Sequence, residues 1–483
     1  MTQNRRTGMD DLVIIGGGPS GLAAAHEAVG RGAKSIVLER LDCVGGLSRT
    51  TVFKDSRFDV GPHRFYTKNR EVHELFVKIA SEDLLDVPRM TRIFYNNKFF
   101  NYPLTPLNAL FGVGAASSLM CFYSYVMARA RRSISEPPME SFEDWVIDRF
   151  GRRLFESFFK TYTEKVWGIP CTQIGADWAA QRIKGLSLST AIVNALSKSK
   201  KKSVKTLTDR FIYPRLGAGQ LYEKMAMGIE QSGSRVLTGI RACRIRRDNF
   251  HISAVEADDG GGGRHEFEGR FFLVSAPLTD VIEVMKPSPP PEVISACRAL
   301  RYRNHVGVNL VVEGRPFPDN WIYIHSKEVS MARITNYANF SPEMASQPNL
   351  SPLTIEYFCF PGDEVWKAPD YVLIESAKRE LSHMNIVRPD QVLSGFVVRS
   401  DKAYPIIEIG YERHVAAIKG WLDQFRNLLP IGRSGMFKYN NQDHAMATGL
   451  LAARSALGIQ QFDPWLVNSD AEYHEIAGPR YQQ

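Results

Sequence analysis

The chain has 483 residues, more than one hydrophobic core accommodates, so its length predicts two or three domains. Its 44% hydrophobic and 23% charged residues are typical of globular proteins, and its net charge of +8 favours an anionic ligand or surface, unless the basic residues serve solubility alone. No zinc-finger, RNP-type or helix-turn-helix pattern accompanies this charge, which argues against nucleic acid as a partner.

The six cysteines are far apart in the sequence and form no C-x-x-C pair. This spacing argues against a zinc site, so we expect no metal, and it favours reduced thiols in the cytoplasm. The polar segment MTQNRRTGMDD leads directly into the first strand, so we expect no secretory signal.

The stretch DLVIIGGGPSG predicts a buried strand, a glycine turn and the start of a helix. Gly16, Gly18 and Gly21 have the G-x-G-x-x-G spacing, in which the first turns the chain, the second admits a pyrophosphate and the third lets the helix pack on the strand. Such turns also occur as packing devices alone. Glu39, however, ends a second strand at the distance where a carboxylate binds ribose hydroxyls, and the combination favours dinucleotide binding.

A second glycine pair, Gly45-Gly46, follows in VGGLSRT. A nicotinamide enzyme has no need of it, whereas enzymes that bury FAD often have one, so the pair favours FAD. The segment FDVGPHRFYT then places His63 after a rigid Gly61-Pro62 turn, where an imidazole can press against the isoalloxazine. The alternative is a histidine that makes its hydrogen bonds within its own loop and has no role at the flavin.

At these residues the sequence resembles the flavin-dependent UDP-galactopyranose mutases, within the wider amine oxidase and protoporphyrinogen oxidase superfamily. VGPHRFYT is similar to the mutases' glycine-x-histidine turn over the flavin. It departs from their pattern at Arg64 and Tyr66, where the bacterial mutases commonly have an aliphatic residue and a second histidine. We therefore expect a different flavin environment.

The next segment, residues 89–103, predicts a hairpin around Asn96-Asn97. From Pro103 to Ala128 no residue is charged, and the basic run ARARR follows. The prolines and the modest hydrophobicity argue against a membrane span. We expect a buried helical pair of a substrate domain, with peripheral membrane contact through 104–132 as the alternative.

Residues 141–170 predict helix that begins with a capping box at Ser141 and Asp144 and buries an apolar stripe. The resemblance assigns Tyr162 and Trp167 to the sugar-nucleotide cleft, because they match the mutases' F-F-x-x-Y-T-x-x-x-W-G motif. It also assigns Arg182 to the substrate diphosphate, which a bidentate guanidinium suits, with a salt bridge on the helix surface as the alternative.

The basic run at 197–208 is most simply a solvated loop, with a lid over an anionic ligand or an anchor to acidic lipid as the alternatives. The chain then re-enters the nucleotide domain. Strands joined by the glycine run at 260–263 form a meander beside the adenosine half of FAD, where the backbone near Ala242 would lie against the adenine.

After the proline-rich boundary at 287–292, alternating segments between 300 and 400 predict an antiparallel sheet that lines a cleft. The resemblance implies that Arg333 is the second arginine that binds the diphosphate. It also implies that Tyr404 and Tyr439 reach the substrate. Gly432-Arg433 closes the nucleotide domain. The run NQDH, which begins at Asn441, starts a helix whose N–H groups stabilise negative charge at the flavin N1–C2=O end.

The expected fold class is α/β, with a discontinuous doubly wound, Rossmann-like FAD domain of the glutathione-reductase type, a helical insertion and an antiparallel-sheet domain. The predicted boundaries are 1–88, 211–286 and 401–483 for the FAD domain, 89–210 for the insertion and 287–400 for the sheet domain. The residues predicted to contact the cofactor are Gly16, Gly18, Pro19, Ser20, Gly21, Glu39, Arg40, Gly45, Gly46, Leu47, Ser48, Gly61, Pro62, His63, Ala242, Gly432, Arg433, Asn441, Gln442, Asp443 and Met446.

The resemblance implies interconversion of the pyranose and furanose forms of a nucleotide sugar, with attack of reduced flavin N5 on the anomeric carbon. It implies His63, Arg182, Arg333 and Tyr439 as catalytic residues and a reductant such as NAD(P)H to keep the flavin reduced. One alternative is a flavin oxidoreductase or desaturase acting on a sugar, a lipid-linked sugar or a natural-product intermediate. The other is a non-catalytic flavoprotein that binds a partner through the uncharged helical segment. We expect a cytoplasmic protein, with peripheral contact to the inner face of the membrane as the alternative.

Overall fold

The computed structural model describes residues 9–102, 115–134, 139–176, 178–179 and 210–468. The strands are β1 (Asp10–Ile15), β2 (Ser35–Leu38), β3 (Thr50–Phe53), β4 (Ser56–Asp59), β5 (Leu84–Pro88), β6 (Thr91–Tyr95), β7 (Lys98–Asn101), β8 (Arg210–Pro214), β9 (Arg235–Leu237), β10 (Arg241–Asp248), β11 (His251–Asp258), β12 (Arg264–Phe267), β13 (Gly269–Val274), β14 (Met285–Lys286), β15 (Tyr302–Glu313), β16 (Trp321–Ile324), β17 (Arg333–Asn336), β18 (Leu350–Cys359), β19 (Val392–Pro405) and β20 (Leu428–Pro430). The helices are α1 (Pro19–Gly30), α2 (Arg70–Ala80), α3 (Ala115–Ile134), α4 (Phe142–Phe150), α5 (Arg152–Phe155), α6 (Thr161–Trp167), α7 (Gly219–Gln231), α8 (Leu278–Val284), α9 (Pro291–Ala299), α10 (Glu364–Lys367), α11 (Asp370–His383), α12 (Tyr411–Leu422) and α13 (Gln442–Ala456).

The first strand lies at the centre of a five-stranded parallel sheet with the order β20-β13-β1-β2-β9. Strand β1 pairs in parallel with both β2 and β13, and its residues from Leu12 to Ile15 are buried. Continuous apolar runs of this kind are typical of strands that are covered on both faces. Helices α1 and α13 pack on each other closely, since a Cβ at Gly449 would lie 2.1 Å from the Ser20 carbonyl oxygen.

A seven-stranded sheet has the order β19-β15-β18-β17-β16-β6-β7. The alternating segments predicted between 300 and 400 form β15, β16, β18 and β19, and the 89–103 hairpin is β6 and β7. Asn96 and Asn97 both have positive φ, +47° and +56°, as a two-residue hairpin turn requires. The hairpin joins the edge of this sheet because β6 pairs in parallel with β16.

A smaller sheet, β12-β11-β10-β14, contains the predicted meander, and the glycine run at 260–263 connects β11 to β12. Two-stranded pairs form between β3 and β4 and between β5 and β8. The hairpin at residues 91–101 pairs with the large sheet through β6 and β16. The sequence had assigned these residues to the helical insertion that was predicted to begin at residue 89. The domain boundaries themselves stay a prediction.

The helices between β7 and β8 include the predicted capping box. Ser141 Oγ accepts a hydrogen bond from the Asp144 N–H, and Asp144 Oδ2 accepts one from the Ser141 N–H, each at 3.1 Å. A π-helical segment, Glu156–Lys160, joins α5 to α6. Across the residues that the structure covers, no helix combines the length and the apolar character needed to cross a membrane.

The predicted fold class is confirmed, with a parallel sheet and an antiparallel sheet built from interleaved segments of the chain.

All six cysteines are free. Within the described ranges no group of His, Cys, Asp and Glu side chains has an arrangement that holds a metal ion. Arg182, the basic run at 197–208 and residues 103–114 lie outside the described residues.

Candidate active site

The first glycine turn leaves the start of helix α1 open to a ligand. Gly16 has a φ of +106°, and a Cβ at Gly21 would lie 1.9 Å from the Gly16 carbonyl oxygen. Helix α1 begins with Pro19, and no side chain caps its first turn. The N–H groups of that turn, which have no partner within the helix, can therefore bind an anion such as a pyrophosphate.

Glu39 is positioned by the same turn. Its Oε2 accepts a hydrogen bond from the Gly17 N–H at 2.7 Å, and its Oε1 accepts one from the Leu41 N–H at 2.9 Å. Only 5% of Glu39 is exposed. Each carboxylate oxygen has a second lone pair, so the side chain can still accept hydrogen bonds from two ribose hydroxyls.

The second glycine turn packs directly on the first. The Gly45 N–H donates to the Gly17 carbonyl at 2.8 Å, and a Cβ at Gly46 would lie 3.2 Å from Gly18 Cα. Arg49, which is not among the residues predicted from the sequence, is buried beside them. Its guanidinium donates to the Gly46 carbonyl at 2.7 Å and to Ser400 Oγ at 3.3 Å.

One cavity of about 710 Å³ extends from these turns to the large antiparallel sheet. Most of the predicted site residues line it, namely Gly16, Gly18, Pro19, Ser20, Glu39, Arg40, Gly46, Leu47, Ser48, Gly61, Pro62, His63, Ala242, Arg333, Tyr404, Arg433, Tyr439, Asn441, Gln442 and Asp443. Residues from four distant parts of the chain thus meet in one place.

Several predicted residues lie behind this wall. Gly21 and Gly45 shape the turns, and Met446, a residue of α13, is fully buried in the core. Gly432 has a φ of +79°, and its N–H donates to Thr448 Oγ1 at 2.9 Å. These four residues support the cavity without lining it.

The two aromatic residues assigned to the cleft are also set back from the cavity. Tyr162 stacks on His325 with ring centroids 4.9 Å apart and meets the lining residue Tyr323 edge-on at 5.4 Å. Trp167 is 1% exposed, and its ring centroid lies 5.8 Å from that of Tyr439. Both therefore contact residues that line the cavity.

Arg333 is held in a buried ion pair. Its Nε donates to Glu356 Oε1 at 2.6 Å and its Nη2 to Glu356 Oε2 at 2.5 Å. His305 Nε2 lies 3.0 Å from the same carboxylate, which is inaccessible to solvent. Burial alone would raise the pKa of Glu356, but the charge and hydrogen bonds of Arg333 lower it to about 2. The single acidic residue in the apolar run LTIEYFCF was the sequence signal for this group.

Arg433 lies between two tyrosines of the cavity. Its guanidinium carbon is 5.2 Å from the ring centroid of Tyr404 and 4.9 Å from that of Tyr439, within cation–π range. Its Nε donates to the Asn440 carbonyl at 2.7 Å. In the described part of the chain no carboxylate forms a salt bridge with it. Arg433, which was predicted to bind the cofactor, therefore lies beside the two tyrosines that were predicted to bind the substrate.

His63 is a neutral base in this setting. Its Nε2 lies 2.9 Å from the Val60 carbonyl, which can only accept, so Nε2 carries the proton and Nδ1 is left as an acceptor. Burial, helped by the nearby charge of Arg433, lowers the pKa of His63 to about 4. Arg64 and Tyr66, where the sequence departs from the mutases, line the same wall.

Helix α13 closes the cavity on the C-terminal side. The Asn441 N–H donates to His444 Nδ1 at 3.2 Å, and Gln442 Oε1 accepts from the Tyr222 hydroxyl at 2.7 Å. Gln442 and Asp443, the first residues of this helix, line the cavity, so the positive end of the helix dipole faces it. At the other end Arg40 forms a salt bridge with Asp401.

These features fit FAD on several independent grounds. The start of α1 has no side-chain cap and faces one region of the cavity, and the Glu39 carboxylate, with lone pairs still available, faces another. The two glycine turns let a ligand approach the backbone of the cavity wall closely. The volume lies in the range of sites that bury a cofactor. The phosphates would lie on the α1 turn, the ribose at Glu39, the adenine near Ala242 and the flavin near His63 and α13.

The sequence profile of the flavin containing amine oxidoreductases matches residues 19–405. A probable UDP-galactopyranose mutase of Klebsiella pneumoniae is 27% identical over 173 residues, which are 34% of this chain and 43% of that protein. An L-amino-acid oxidase of Sistrurus catenatus edwardsii is 42% identical over 71 residues, 15% of this chain and 14% of that protein. The chain thus aligns with less than half the length of these relatives.

Two solved structures show the same fold. A reduced UDP-galactopyranose mutase superposes with a TM-score of 0.83 at 21% identity, covering 95% of this chain and 99% of that one. A putrescine oxidase bound to putrescine gives a TM-score of 0.61 at 14% identity, covering 93% and 99%. The resemblance drawn from the motifs is thereby confirmed.

Proposed function

This chain belongs to the flavin containing amine oxidoreductase family, and we propose that within that family it is an FAD-dependent isomerase of nucleotide sugars. FAD as the cofactor is confirmed by the family and its relatives. The proposed reaction interconverts the pyranose and furanose forms of a UDP-sugar, as the name of the mutase relatives suggests. The observation that carries the proposal is the pair of arginines, Arg333 and Arg433, in one cavity with the dinucleotide cradle.

The charge of this part of the cavity favours an anionic substrate. The carboxylate of Glu356 is neutralised by Arg333, and among the described residues no carboxylate forms a salt bridge with Arg433. An amine substrate would carry a positive charge into the same space. A sugar diphosphate instead brings two or more negative charges to groups that bind phosphate oxygens well.

The proposed division of labour follows from the geometry. Reduced FAD supplies a nucleophilic nitrogen for the anomeric carbon when bound. Arg333 and Arg433 stabilise the negative charge that grows on the departing diphosphate. Burial raises the pKa of Tyr404, so its hydroxyl stays protonated and can donate to a phosphate or sugar oxygen. His63 offers its unprotonated Nδ1 as an acceptor at the flavin wall.

The second candidate is an oxidoreductase or desaturase that acts on a sugar or lipid-linked sugar. It is favoured by the family's own reaction class and by the match to amino-acid oxidases. It requires oxidised FAD to accept a hydride, whereas the isomerisation has no net redox change and requires reduced FAD. The oxidation state that supports turnover therefore separates the two.

The deciding experiment is an anaerobic incubation of the flavin-loaded protein with UDP-galactose and a panel of other UDP-sugars, with and without dithionite. Chromatography and mass spectrometry follow the products. We expect a new species of unchanged mass that requires the reductant. A product lighter by two hydrogens, formed only by oxidised protein, would contradict the isomerase and support the oxidoreductase.

A pair of variants ties the activity to the cavity. Arg333→Ala removes the paired arginine of the site, whereas Arg92→Ala removes a similarly paired arginine of the same sheet that lies outside the cavity. We expect Arg333→Ala to abolish turnover and Arg92→Ala to retain it.

Replacing dithionite with NAD(P)H in the same incubation tests whether NAD(P)H is the reductant, as predicted. Glycan biosynthesis and a cytoplasmic location stay predictions.

A further inference from the structure

Helix α3 turns an apolar face to solvent. The side chains of Leu119 and Tyr123 are 72% and 67% exposed, among the highest values for large apolar residues in the described part of the chain. Four more on the same helix are at least two-fifths exposed, namely Met120, Phe122, Val126 and Met127. Helices of soluble proteins normally bury their apolar face against the core, so this arrangement calls for a partner.

These six side chains form one continuous stripe, which we call the outer face of α3. With about 100° of rotation per residue, they cover an arc of roughly 160°. The opposite side is buried. Cys121 and Tyr125 point inward, and Ser124 Oγ accepts a hydrogen bond from the Arg153 N–H at 3.2 Å. The backbone at Tyr125 lies against Gly151, where an added Cβ would be 2.7 Å from the Tyr125 nitrogen. The helix is thus fixed with its apolar stripe outward.

Basic residues border the outer face. By the same rotation Arg131, which is exposed, falls at one edge of the stripe. Arg129 falls at the other edge and donates a hydrogen bond to the Tyr125 hydroxyl at 3.3 Å. Arg132 points toward the protein, where it forms a salt bridge with Asp148 at 2.5 Å. Residues 115–134 include no acidic residue. An apolar stripe flanked by arginines, with no acidic residue in the helix, is the pattern of a helix that lies in the plane of an anionic membrane surface.

We propose that α3 docks this protein on the surface of an anionic lipid bilayer. The outer face enters the boundary between head groups and acyl chains, and the exposed Arg131 contacts lipid phosphates. A second copy of the chain is a poorer occupant, because α3 carries no acidic residue that could pair with the arginines of a second α3. The proposal does not depend on which reaction the cavity supports.

Vesicle sedimentation tests the proposal with the flavin-loaded full chain. Sucrose-loaded vesicles of phosphatidylcholine alone are compared with equimolar phosphatidylcholine and phosphatidylglycerol. We expect binding to the anionic vesicles only, weakened by salt. Tyr123→Glu on the outer face should abolish it, and Arg131→Ala should weaken it about fivefold, since each arginine near the surface contributes about 1 kcal/mol.

Matched controls separate docking from general surface effects. Tyr371, on α11, is 70% exposed, so Tyr371→Glu introduces the same charge at an equally exposed tyrosine elsewhere. Arg413→Ala removes an exposed arginine from α12. Both variants should bind vesicles like the unaltered protein. Retained flavin absorbance and an unchanged melting temperature show that Tyr123→Glu is folded.

Three outcomes would overturn the proposal. The first is that the unaltered protein binds anionic vesicles no better than neutral ones at low salt. The second is that Tyr371→Glu loses as much binding as Tyr123→Glu. The third is a dimer in solution that Tyr123→Glu converts to a monomer, with no vesicle binding by either, because the outer face would then be an interface between two copies.

Discussion

Arg333 is held in position before any ligand arrives. Its guanidinium donates two hydrogen bonds to Glu356, and His305 Nε2 lies 3.0 Å from Oε2 of the same carboxylate. A guanidinium fixed in this way does not have to reorganise when negative charge develops nearby, which is the condition for efficient electrostatic catalysis. Glu356 therefore acts on the substrate through Arg333.

We predict that Glu356→Gln is costly in two separate ways. The variant leaves the buried charge of Arg333 without its counter-ion, so the free energy of unfolding should fall by about 3 kcal/mol in urea denaturation. It also loosens the guanidinium, so kcat/KM for the nucleotide sugar should fall about 100-fold.

Asp319→Asn provides the control for that prediction. Asp319 is buried and forms a two-point ion pair with Arg92, at 2.8 and 2.6 Å, outside the cavity. This variant should lose comparable stability while it keeps the kinetic constants of the unaltered protein. Equal kinetic losses in both variants would show that Glu356 serves the fold alone.

His63 predicts a pH dependence of stability with a definite sign. The pKa is about 4 in the folded protein, against 6.5 for an unperturbed histidine, so the unfolded chain binds more protons between these values. The free energy of unfolding should therefore decrease as the pH falls from about 6.5 to about 4. In His63→Asn this contribution is absent. Chemical denaturation at about pH 7 and about pH 5 should show a smaller loss in the variant.

An exposed histidine calibrates this measurement. His383, at the end of α11, is exposed, and His383→Asn should follow the unaltered protein at both pH values. A His63→Asn variant whose stability falls as steeply as that of the unaltered protein would contradict the neutral, buried imidazole.

At the scale of elements, the strand, turn and helix at the start of the chain admit no side chain at Gly21. A methyl group there would lie 1.9 Å from a backbone oxygen of the turn. Gly21→Ala should therefore lower the free energy of unfolding by about 3 kcal/mol and empty the cofactor site, because the turn that holds the phosphates must shift. Thermal melting and the ratio of flavin to protein absorbance measure both effects.

The last residue of the same helix is the matched control. Gly30 is exposed, and an added Cβ would meet no atom within 4 Å. Gly30→Ala should raise the stability by up to about 1 kcal/mol, since alanine favours helix, and should keep full flavin content. Loss of flavin in both variants would mean that helix α1, and not its first turn, is the sensitive feature.

The local elements were those that the sequence predicted well. The glycine turn, the capping box at Ser141 and the hairpin at Asn96-Asn97 depend on residues a few positions apart, and the structure confirms all three. Tyr162 and Trp167 follow the π-helical segment Glu156–Lys160. Helical periodicity does not anticipate such a segment, and it changes the direction in which the following side chains point.

At the scale of the whole molecule, Asp59 links four parts of the chain. Its carboxylate accepts hydrogen bonds from the Thr50 and Tyr213 hydroxyls, each at 2.6 Å, and from the Ala218 N–H at 3.2 Å. Its carbonyl accepts one from the Tyr337 hydroxyl at 2.6 Å. The small hairpin, strand β8, helix α7 and the antiparallel-sheet region thus meet at one buried residue.

This contact predicts a second pH effect, opposite to that of His63. Burial raises the pKa of Asp59 from 3.8 to about 7, so the folded state binds the extra proton between these values. The contribution of Asp59 to the free energy of unfolding therefore decreases as the pH rises from about 4 to about 7. Asp59→Asn, which cannot ionise, should flatten this part of the curve. A variant with the slope of the unaltered protein would contradict the raised pKa.

Long-range contacts are also where the sequence was least informative. Arg333 and Glu356 are adjacent only because β17 pairs with β18 in one register. Arg433 lies between Tyr404 and Tyr439 because separate segments converge on the cavity. Neither arrangement follows from local spacing, so the sequence predicted the members of the site more readily than their partners.

The order of the parallel sheet also determines when the protein can receive its cofactor. Strand β20 and helix α13 come from the last part of the described chain, yet β20 completes one side of the sheet and α13 covers α1. While the ribosome is still making the middle of the protein, the glycine turns already exist, but the wall that encloses FAD does not. We therefore expect FAD to bind only after α13 has been synthesised, because the part of the chain made earlier lacks one wall of the cavity.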